Sequence, residues 1–178
     1  MSTNVPSSSP LGRRLRLAVI GGGPGSFIGP IHRLAARLDD RYDIVAGALS
    51  SDPVRAKEAG LALGLPADRC YVDATGLLQT EAARPDGAEV VSIMTPNHSH
   101  FPYAMAALEL GFDVICDKPM TNTLEEAARL LERVRESGRL FCLTHNYSGY
   151  PMTRQARAMV AEGQLGEIRL LDNIYTLA

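Results

Sequence analysis

A run of glycines follows an apolar segment near the start of the chain, in the order Gly21-Gly22-Gly23-Pro24-Gly25-Ser26. Glycine allows a tight turn and lets backbone N–H groups approach a pyrophosphate, and a following helix adds the positive end of its dipole. Ser26 occupies the last place of the G-x-G-x-x-G pattern, so Gly25 and Gly29 are alternatives for the small-residue roles. The pattern predicts a dinucleotide site, in which a side chain at Gly23 would clash with the pyrophosphate. The alternatives are a ligand-free turn and, less well matched because no Lys-Ser or Lys-Thr closes the run, a P-loop.

Lys118 is the residue whose position best suits catalysis. It follows an apolar run that is typical of a buried strand, and Asp117 and Pro119 flank it. The proline biases Lys118 towards an extended conformation, and a partly desolvated lysine can hold a substrate hydroxyl and assist its proton transfer. The alternative is a structural lysine that pairs with Asp117 at the end of the strand.

The segment Ser50-Ser51-Asp52 follows the second predicted strand. At this place an acidic residue ordinarily binds the ribose 2′-OH of NAD, whereas an arginine accommodates the 2′-phosphate of NADP. Asp52 is better explained as the N-cap of a helix with proline in its first position. Arg55 lies one turn further on, so the segment leans slightly towards NADP, while a solvated surface role for Arg55 stays equally open.

Polar residues also follow the three later predicted strands. Parallel strands place their carboxyl ends at one edge of a sheet, where ligands bind, so we expect these groups to lie together. His98 and His100, which follow Thr95-Pro96-Asn97, are each either a catalyst or, more simply, a turn or cap residue. The segment His145-Asn146-Tyr147 could line the nicotinamide or substrate pocket. Tyr150 and Arg154 would face the cofactor from a second domain or only link the domains. The groups are Thr95-Pro96-Asn97 with His98 and His100, Asp117-Lys118-Pro119, and His145-Asn146-Tyr147.

Strand and helix patterns alternate along the chain, and the strands are near-continuous apolar runs of the kind that a parallel sheet buries on both faces. This succession predicts an α/β fold, a Rossmann-type doubly wound parallel sheet. The predicted strands are 15–20, 44–49, 90–94, 112–116 and 140–144, and the predicted helices are 29–38, 53–63, 77–83, 100–110 and 124–137.

The pattern shifts after residue 150, where a helix at 151–162 and a strand at 167–175 are expected. One strand makes no stable sheet alone, so this part resembles the start of a truncated second α/β domain. We therefore divide the chain into a flexible tail at 1–14, an NAD(P)-binding domain at 15–148, and the beginning of an incomplete C-terminal substrate and oligomerisation domain at 149–178.

Composition limits the function classes. The chain has 178 residues, 46% of them hydrophobic, and a net charge of −2, which argues against a nucleic-acid binder. No apolar run reaches the length of a membrane span, and the first residues lack the apolar stretch of a signal peptide, so a cytoplasmic protein is expected. Cys70, Cys116 and Cys142 lack metal-binding spacing, so no metal is expected.

These features, in this order, resemble the Gfo/Idh/MocA family, the glucose–fructose oxidoreductase and inositol dehydrogenase group, from about Arg16 to the end of the chain. The resemblance rests on the glycine turn, on Thr95-Pro96-Asn97 with His100 downstream, and on Asp117-Lys118-Pro119, in which Asp replaces the family's Glu. It implies an NAD(P)-dependent oxidoreductase that acts on a secondary hydroxyl of a sugar, cyclitol or related polyol. Lys118 would contact the substrate hydroxyl and join its proton relay.

The resemblance also implies a second domain that supplies a catalytic Asp and His, which no position here matches, and that usually forms the oligomer contact. We expect a small-molecule substrate, no nucleic acid or membrane partner, and a homo-oligomer when the protein is full length. The alternatives are a truncated, inactive dinucleotide-binding module and an NAD-dependent glycosidase of the same family. The residues expected to contact NAD or NADP are Gly21, Gly23, Pro24, Gly25, Ser26, Phe27, Ile28, Ser50, Ser51, Arg55, Thr95, Pro96, Asn97, His100, Asp117, Lys118 and Asn146.

Overall fold

The computed structural model of the protein describes residues 11–172 and 174. Strands and helices alternate, as the apolar pattern predicts. The strands are β1 (Leu15–Gly21), β2 (Tyr42–Ala48), β3 (Val90–Met94), β4 (Asp113–Cys116) and β5 (Phe141–Leu143). The helices are α1 (Ile28–Leu38), α2 (Pro53–Ala62), α3 (Ala74–Ala83), α4 (His100–Glu109), α5 (Leu124–Ser137) and α6 (Pro151–Ala161).

The five strands form one parallel sheet in the order β2-β1-β3-β4-β5. Chain order reverses at β1, because β2 lies on one side of it and β3 on the other. A crevice therefore opens between β1 and β3 at their carboxyl ends, which is where doubly wound sheets bind ligands. The predicted Rossmann-type fold class is confirmed.

Two apolar clusters cover the two faces of the sheet. On one face, β-strand residues pack against α3, α4 and α5 through Leu77, Leu108 and Leu130, each at most 2% exposed. On the other face, α1 and α2 contribute Ala36 and Ala59. All five residues of β3 are buried and four of them are apolar, which is why its sequence is a near-continuous apolar run rather than an alternating one.

Polar caps fix where several helices begin. The Asp52 carboxylate accepts a hydrogen bond from the Arg55 N–H at 2.9 Å, and this confirms the predicted N-cap of α2. The Thr123 hydroxyl accepts one from the Glu126 N–H at 3.2 Å, while the Glu126 carboxylate reaches back to the Asn122 N–H at 3.1 Å. These bonds satisfy donors that the first helical turn leaves without partners.

The compact units of the chain are Met1–Thr144 and His145–Ala178. Within the second unit, a short 3₁₀ turn at Asn146–Gly149 precedes α6. The strand expected at 167–175 is not formed at residues 167–172 and 174, which have no neighbouring strand to supply a ladder of hydrogen bonds. Tyr175, its last predicted residue, lies outside the described residues.

The tail expected at 1–14 is held at its carboxyl end. Arg13 forms a bidentate ion pair with Glu89, at 2.6 and 2.7 Å. Arg14 pairs with Asp40 and, at 2.9 Å, with Asp43. Residues 1–10 lie outside the described residues, so the rest of that expectation stays a prediction.

Candidate functional site

The glycine turn connects β1 to α1 through an unusual backbone path. Gly21, Gly22 and Gly25 have φ angles of +80°, +68° and +84°, a region that side chains other than glycine rarely adopt. The turn is closed by a hydrogen bond from the Ser26 N–H to the Gly23 carbonyl at 3.0 Å. The Ser26 hydroxyl then accepts the Gly29 N–H at 3.2 Å, which leads the chain into α1.

Three positions in this turn lack room for any side chain. A Cβ atom on Gly23 would lie 2.0 Å from the Leu49 carbonyl oxygen, and one on Gly29 would lie 1.9 Å from that of Gly22. A Cβ atom on Gly21 would lie 2.8 Å from the Met94 oxygen. The predicted clash at Gly23 therefore arises inside the protein, before any cofactor is considered.

A cleft of about 750 Å³ opens at the carboxyl ends of β1, β2 and β3, a size typical of cofactor sites. Eight of the predicted cofactor residues line it, namely Gly21, Gly23, Pro24, Ser26, Ser50, Ser51, Thr95 and Pro96. Other residues of the lining were not predicted from the sequence, among them Asp73, Met94, Ser99 and Tyr103. The sequence could have identified Asp73, because it is the N-cap of α3 and a helix start marks the edge of the cleft.

A smaller hollow of about 280 Å³ adjoins the cleft and shares Pro24 and Ser50 with it. Arg55 and Glu58 of α2 also line this hollow. The one carboxylate of the Ser50-Ser51-Asp52 segment is engaged in capping α2. The end of β2 therefore offers serine hydroxyls and an arginine to a ribose, with no carboxylate directed there by this segment.

Lys118 is exposed just beyond β4. Its backbone N–H donates to the Asp117 carboxylate at 2.9 Å, and the Thr144 hydroxyl donates to the same oxygen at 2.7 Å. Among the described residues no ion pair joins the Lys118 ammonium group to Asp117, so the predicted structural pairing is not formed. The Lys118–Pro119 peptide bond is cis.

The two histidines after β3 have different environments. His98 is exposed and lines the cleft. His100 is only 1% exposed, and its ring nitrogens lie 2.7 Å from the Pro119 carbonyl oxygen and 2.8 Å from that of Thr95. The structure therefore places His100 behind the cleft wall, although we expected it among the residues that touch the cofactor.

The remaining predicted contact residues lie outside the described lining of the cleft. Gly25 and Asn97 are exposed, Phe27 is 84% exposed, and Ile28 is half-buried at the start of α1. Asn146 belongs to the second unit, where its amide nitrogen lies 3.5 Å from the Tyr150 hydroxyl.

Two titratable groups packed on or against the sheet have shifted pKa values. The His32 ring is 3.3 Å from the Ser92 hydroxyl, and burial lowers the pKa of His32, partly offset by the negative charge of Asp117. Burial, reinforced by Asp117, raises the pKa of the Cys116 thiol to about 12. Cys116 is therefore protonated and unreactive near neutral pH.

Two absences hold for the described part of the chain. Residues 11–172 and 174 contain no group of three or more His, Cys, Asp or Glu side chains that could hold a metal ion. Within the same residues, no helix has the length and apolar character needed to cross a membrane.

Comparison with known proteins identifies relatives of this chain. The family model GFO_IDH_MocA, described as an oxidoreductase family with an NAD-binding Rossmann fold, matches residues 15–145. The oxidoreductase YfiI of Bacillus subtilis is 40% identical over 93% of this chain and 42% of its own length. Levoglucosan dehydrogenase of Pseudarthrobacter phenanthrenivorans is 33% identical over 92% of this chain and 41% of its own length.

A solved structure is also similar to this chain. The inositol dehydrogenase homologue from Azotobacter vinelandii, complexed with NADH and myo-inositol, is 48% identical with a TM-score of 0.86, over 88% of this chain and 41% of its own. The chain thus spans about two fifths of the length of these relatives.

Proposed function

Because the chain belongs to the Gfo/Idh/MocA family of NAD-binding oxidoreductases, we propose that its cleft binds NAD or NADP for hydride transfer. The substrate that we propose is a sugar, a cyclitol or a related polyol, which is oxidised at a secondary hydroxyl. The observation that carries the proposal is the cleft at the switch point of the sheet, where the glycine turn meets the ends of β2 and β3. The substrate class is supported by relatives named as inositol and levoglucosan dehydrogenases.

The turn has the features that a pyrophosphate needs. A Cβ atom on Gly25 would meet nothing within 4 Å, so the Gly25 backbone is open to an approaching ligand. Ser26 lines the cleft two residues before α1 begins, so the turn brings a ligand to the positive end of that helix. Backbone N–H groups and a helix terminus bind an anion without any charged side chain.

We assign the proton transfer to Lys118. A bound nicotinamide supplies the hydride acceptor, and oxidation of the hydroxyl also releases a proton. Lys118 is exposed and, among the described residues, its ammonium group has no ion-pair partner, so it is available to hold a substrate oxygen. A lysine serves as a base only in its neutral form, which makes a relay that passes the proton onward part of the proposal.

The rest of the active site belongs to the same proposal. We propose that residues 149–178 begin a substrate and oligomerisation domain, that further residues complete the catalytic set, and that Asn146 contacts the cofactor. The support is that the relatives extend well beyond the matched part. The matched family and the named relatives are oxidoreductases and dehydrogenases, so neither the inactive module nor the glycosidase is supported.

Calorimetric titration of the full chain with NADH and NADPH tests cofactor binding. Saturable binding of either dinucleotide with a Kd below about 1 mM supports the proposal, since weaker binding is worth less than about 4 kcal/mol. No heat of binding at millimolar dinucleotide contradicts it. The substrate class is then tested on the product of the complete gene, with inositols, aldoses and anhydrosugars as substrates and NAD(P)H absorbance as the readout.

A further inference from the structure

His100 connects two loops that carry different parts of the proposed site. Its ring is almost completely buried, with one nitrogen 2.7 Å from the Pro119 carbonyl oxygen and the other 2.8 Å from the Thr95 carbonyl oxygen. Thr95 follows β3 and lines the cleft. Pro119 follows Lys118 directly. The imidazole thus spans from the cleft wall to the loop that presents Lys118.

The chemistry of the two partners limits what the ring can do. A carbonyl oxygen only accepts hydrogen bonds, and a neutral imidazole carries a single N–H. In its neutral form His100 therefore donates to one oxygen and turns a lone pair towards the other. Only the protonated ring, with an N–H on each nitrogen, donates to Thr95 and Pro119 together. The number of bonds that join the two loops depends on the charge of this ring.

We propose that His100 is a positioning residue that holds the Lys118 loop against the cleft wall, with two hydrogen bonds when it is protonated and one when it is neutral. This proposal rests on the function proposed above, because it assumes that Lys118 works beside a dinucleotide in the cleft. It predicts that the surroundings of the Lys118 side chain change as His100 gains or loses its proton.

Other groups near His100 also carry charge or titrate, so the test must separate them. The N-terminus of α4, where His100 lies, opposes a positive charge on the ring. The charged and titratable residues on α4 itself and on the elements around it include His98, Tyr103, Glu109, Cys116, Asp117 and Lys118, with Glu81 of α3 and Glu125, Glu126, Arg129, Glu132, Arg133, Arg135 and Glu136 of α5. His98 has the same side chain as His100 and is exposed, so His98 supplies the control.

The chain offers a direct probe, because Lys57 and Lys118 are its only lysines. Reductive methylation with ¹³C-formaldehyde gives one dimethylamino signal for each lysine and one for the N-terminal amine, and the signals that disappear in Lys57→Arg and in Lys118→Arg assign the two lysines. We expect the Lys118 signal to shift through one inflection as the pH is lowered, and the signal of Lys57, exposed on α2, to show none. His100→Gln should abolish the inflection, and His98→Gln should keep it.

An inflection at Lys118 that persists in His100→Gln, or none in the unaltered sequence, overturns the proposal. Should His100→Gln fail to fold, nitrogen-15 NMR of the imidazole rings in the unaltered chain decides. Two protonated ring nitrogens at the acidic end and one at the alkaline end support the proposal, whereas a single N–H throughout overturns it. Addition of NADH to the unaltered chain separates the role of His100 from the proposed function. If NADH does not bind although the inflection at Lys118 is present, the proposed function alone is contradicted.

Discussion

Gly23 lies so close to the carbonyl of Leu49 that a Cβ atom there would be 2.0 Å from its oxygen. The glycine turn after β1 is thus packed against the segment that follows β2, and the first wall of the cleft is built from this contact. A glycine at this position is required by the protein's own backbone. Whatever it contributes to cofactor binding is additional.

Substitution of Gly23 by alanine is therefore expected to destabilise the protein in the absence of cofactor. Overpacking typically costs about 1–3 kcal/mol, and here a backbone atom blocks the space, so we expect a loss of about 3 kcal/mol in the free energy of unfolding. Urea denaturation measures it. Gly149→Ala is the control, because a Cβ atom there meets nothing within 4 Å; equal stability of the two variants would contradict this explanation.

Removal of the Lys118 side chain should separate binding from catalysis. We expect Lys118→Ala to change dinucleotide affinity by less than about threefold, and to lower turnover by about 10²–10⁴-fold, the range of general acid–base contributions. Affinity is measured on the chain by calorimetry and turnover on the product of the complete gene. Lys57→Ala, on α2, is the matched control. Unchanged turnover would remove Lys118 from the mechanism.

Substitution of Arg55 tests the prediction that the segment after β2 slightly favours NADP over NAD. Arg55 lines the hollow beside Ser50, so we expect Arg55→Ala to weaken NADPH binding by about two- to fivefold, as for an exposed charge pair, with NADH affinity unchanged. Ser50→Asp should favour NADH, because it returns a carboxylate to the end of β2. An equal effect of Arg55→Ala on both cofactors would show that Arg55 does not contact the 2′-phosphate.

Glu89 should give the protein an acid-sensitive ion pair. Its hydrogen bond from Arg13 lowers the pKa of Glu89 to about 2, assisted by the Arg16 N–H. The folded-state pKa lies below the unfolded value, so this stabilisation is complete above about pH 4.5 and is lost as the pH falls towards about 2. Glu89→Gln should flatten the melting temperature over that range, and the exposed Glu132→Gln should not. The same acid dependence in both variants would contradict the assignment.

The buried pair of Arg69 and Glu81 should matter more for stability than for binding. The Glu81 carboxylate is 1% exposed and accepts hydrogen bonds from Arg69, from the Tyr71 hydroxyl at 2.7 Å and from the Ala88 N–H at 2.9 Å. Glu81→Gln leaves Arg69 underpaired, so we expect a loss of about 3 kcal/mol. Asp86→Asn, at the 60% exposed partner of Arg69, should lower the stability much less, because water screens an exposed ion pair. Similar losses from the two variants would argue against the buried pair.

Residues close together in the chain were the ones that the sequence predicted well. The apolar runs of β1 and β3 and the cap at Asp52 depend on neighbours within a few positions, and the structure has them where they were expected. The carboxyl ends of parallel strands must share an edge, so the gathering of Ser50, Ser51, Thr95 and Pro96 at the cleft followed from the same pattern. Asp117 and Lys118, which follow β4, are not among the residues that line the cleft.

Contacts between distant residues could not be predicted in this way. His98 and His100 are two positions apart in similar sequence surroundings, yet one lines the cleft and the other is buried between Thr95 and Pro119. Which of them is buried depends on the direction in which α4 starts and on the loop after β4. No local pattern contains that information.

The sequence by itself determined the alternation of strands and helices and the glycine turn between β1 and α1, because each depends on local propensity and periodicity. The order of its motifs carried the resemblance to the family, which the family model confirms. The tertiary structure decided what occupies the space around each residue. It brought the Leu49 carbonyl against Gly23, engaged Asp52 in capping α2, and left Lys118 exposed while burying His100 behind it. The physical reason is that packing and hydrogen-bond satisfaction are settled among groups far apart in the chain, once the sheet has brought them together.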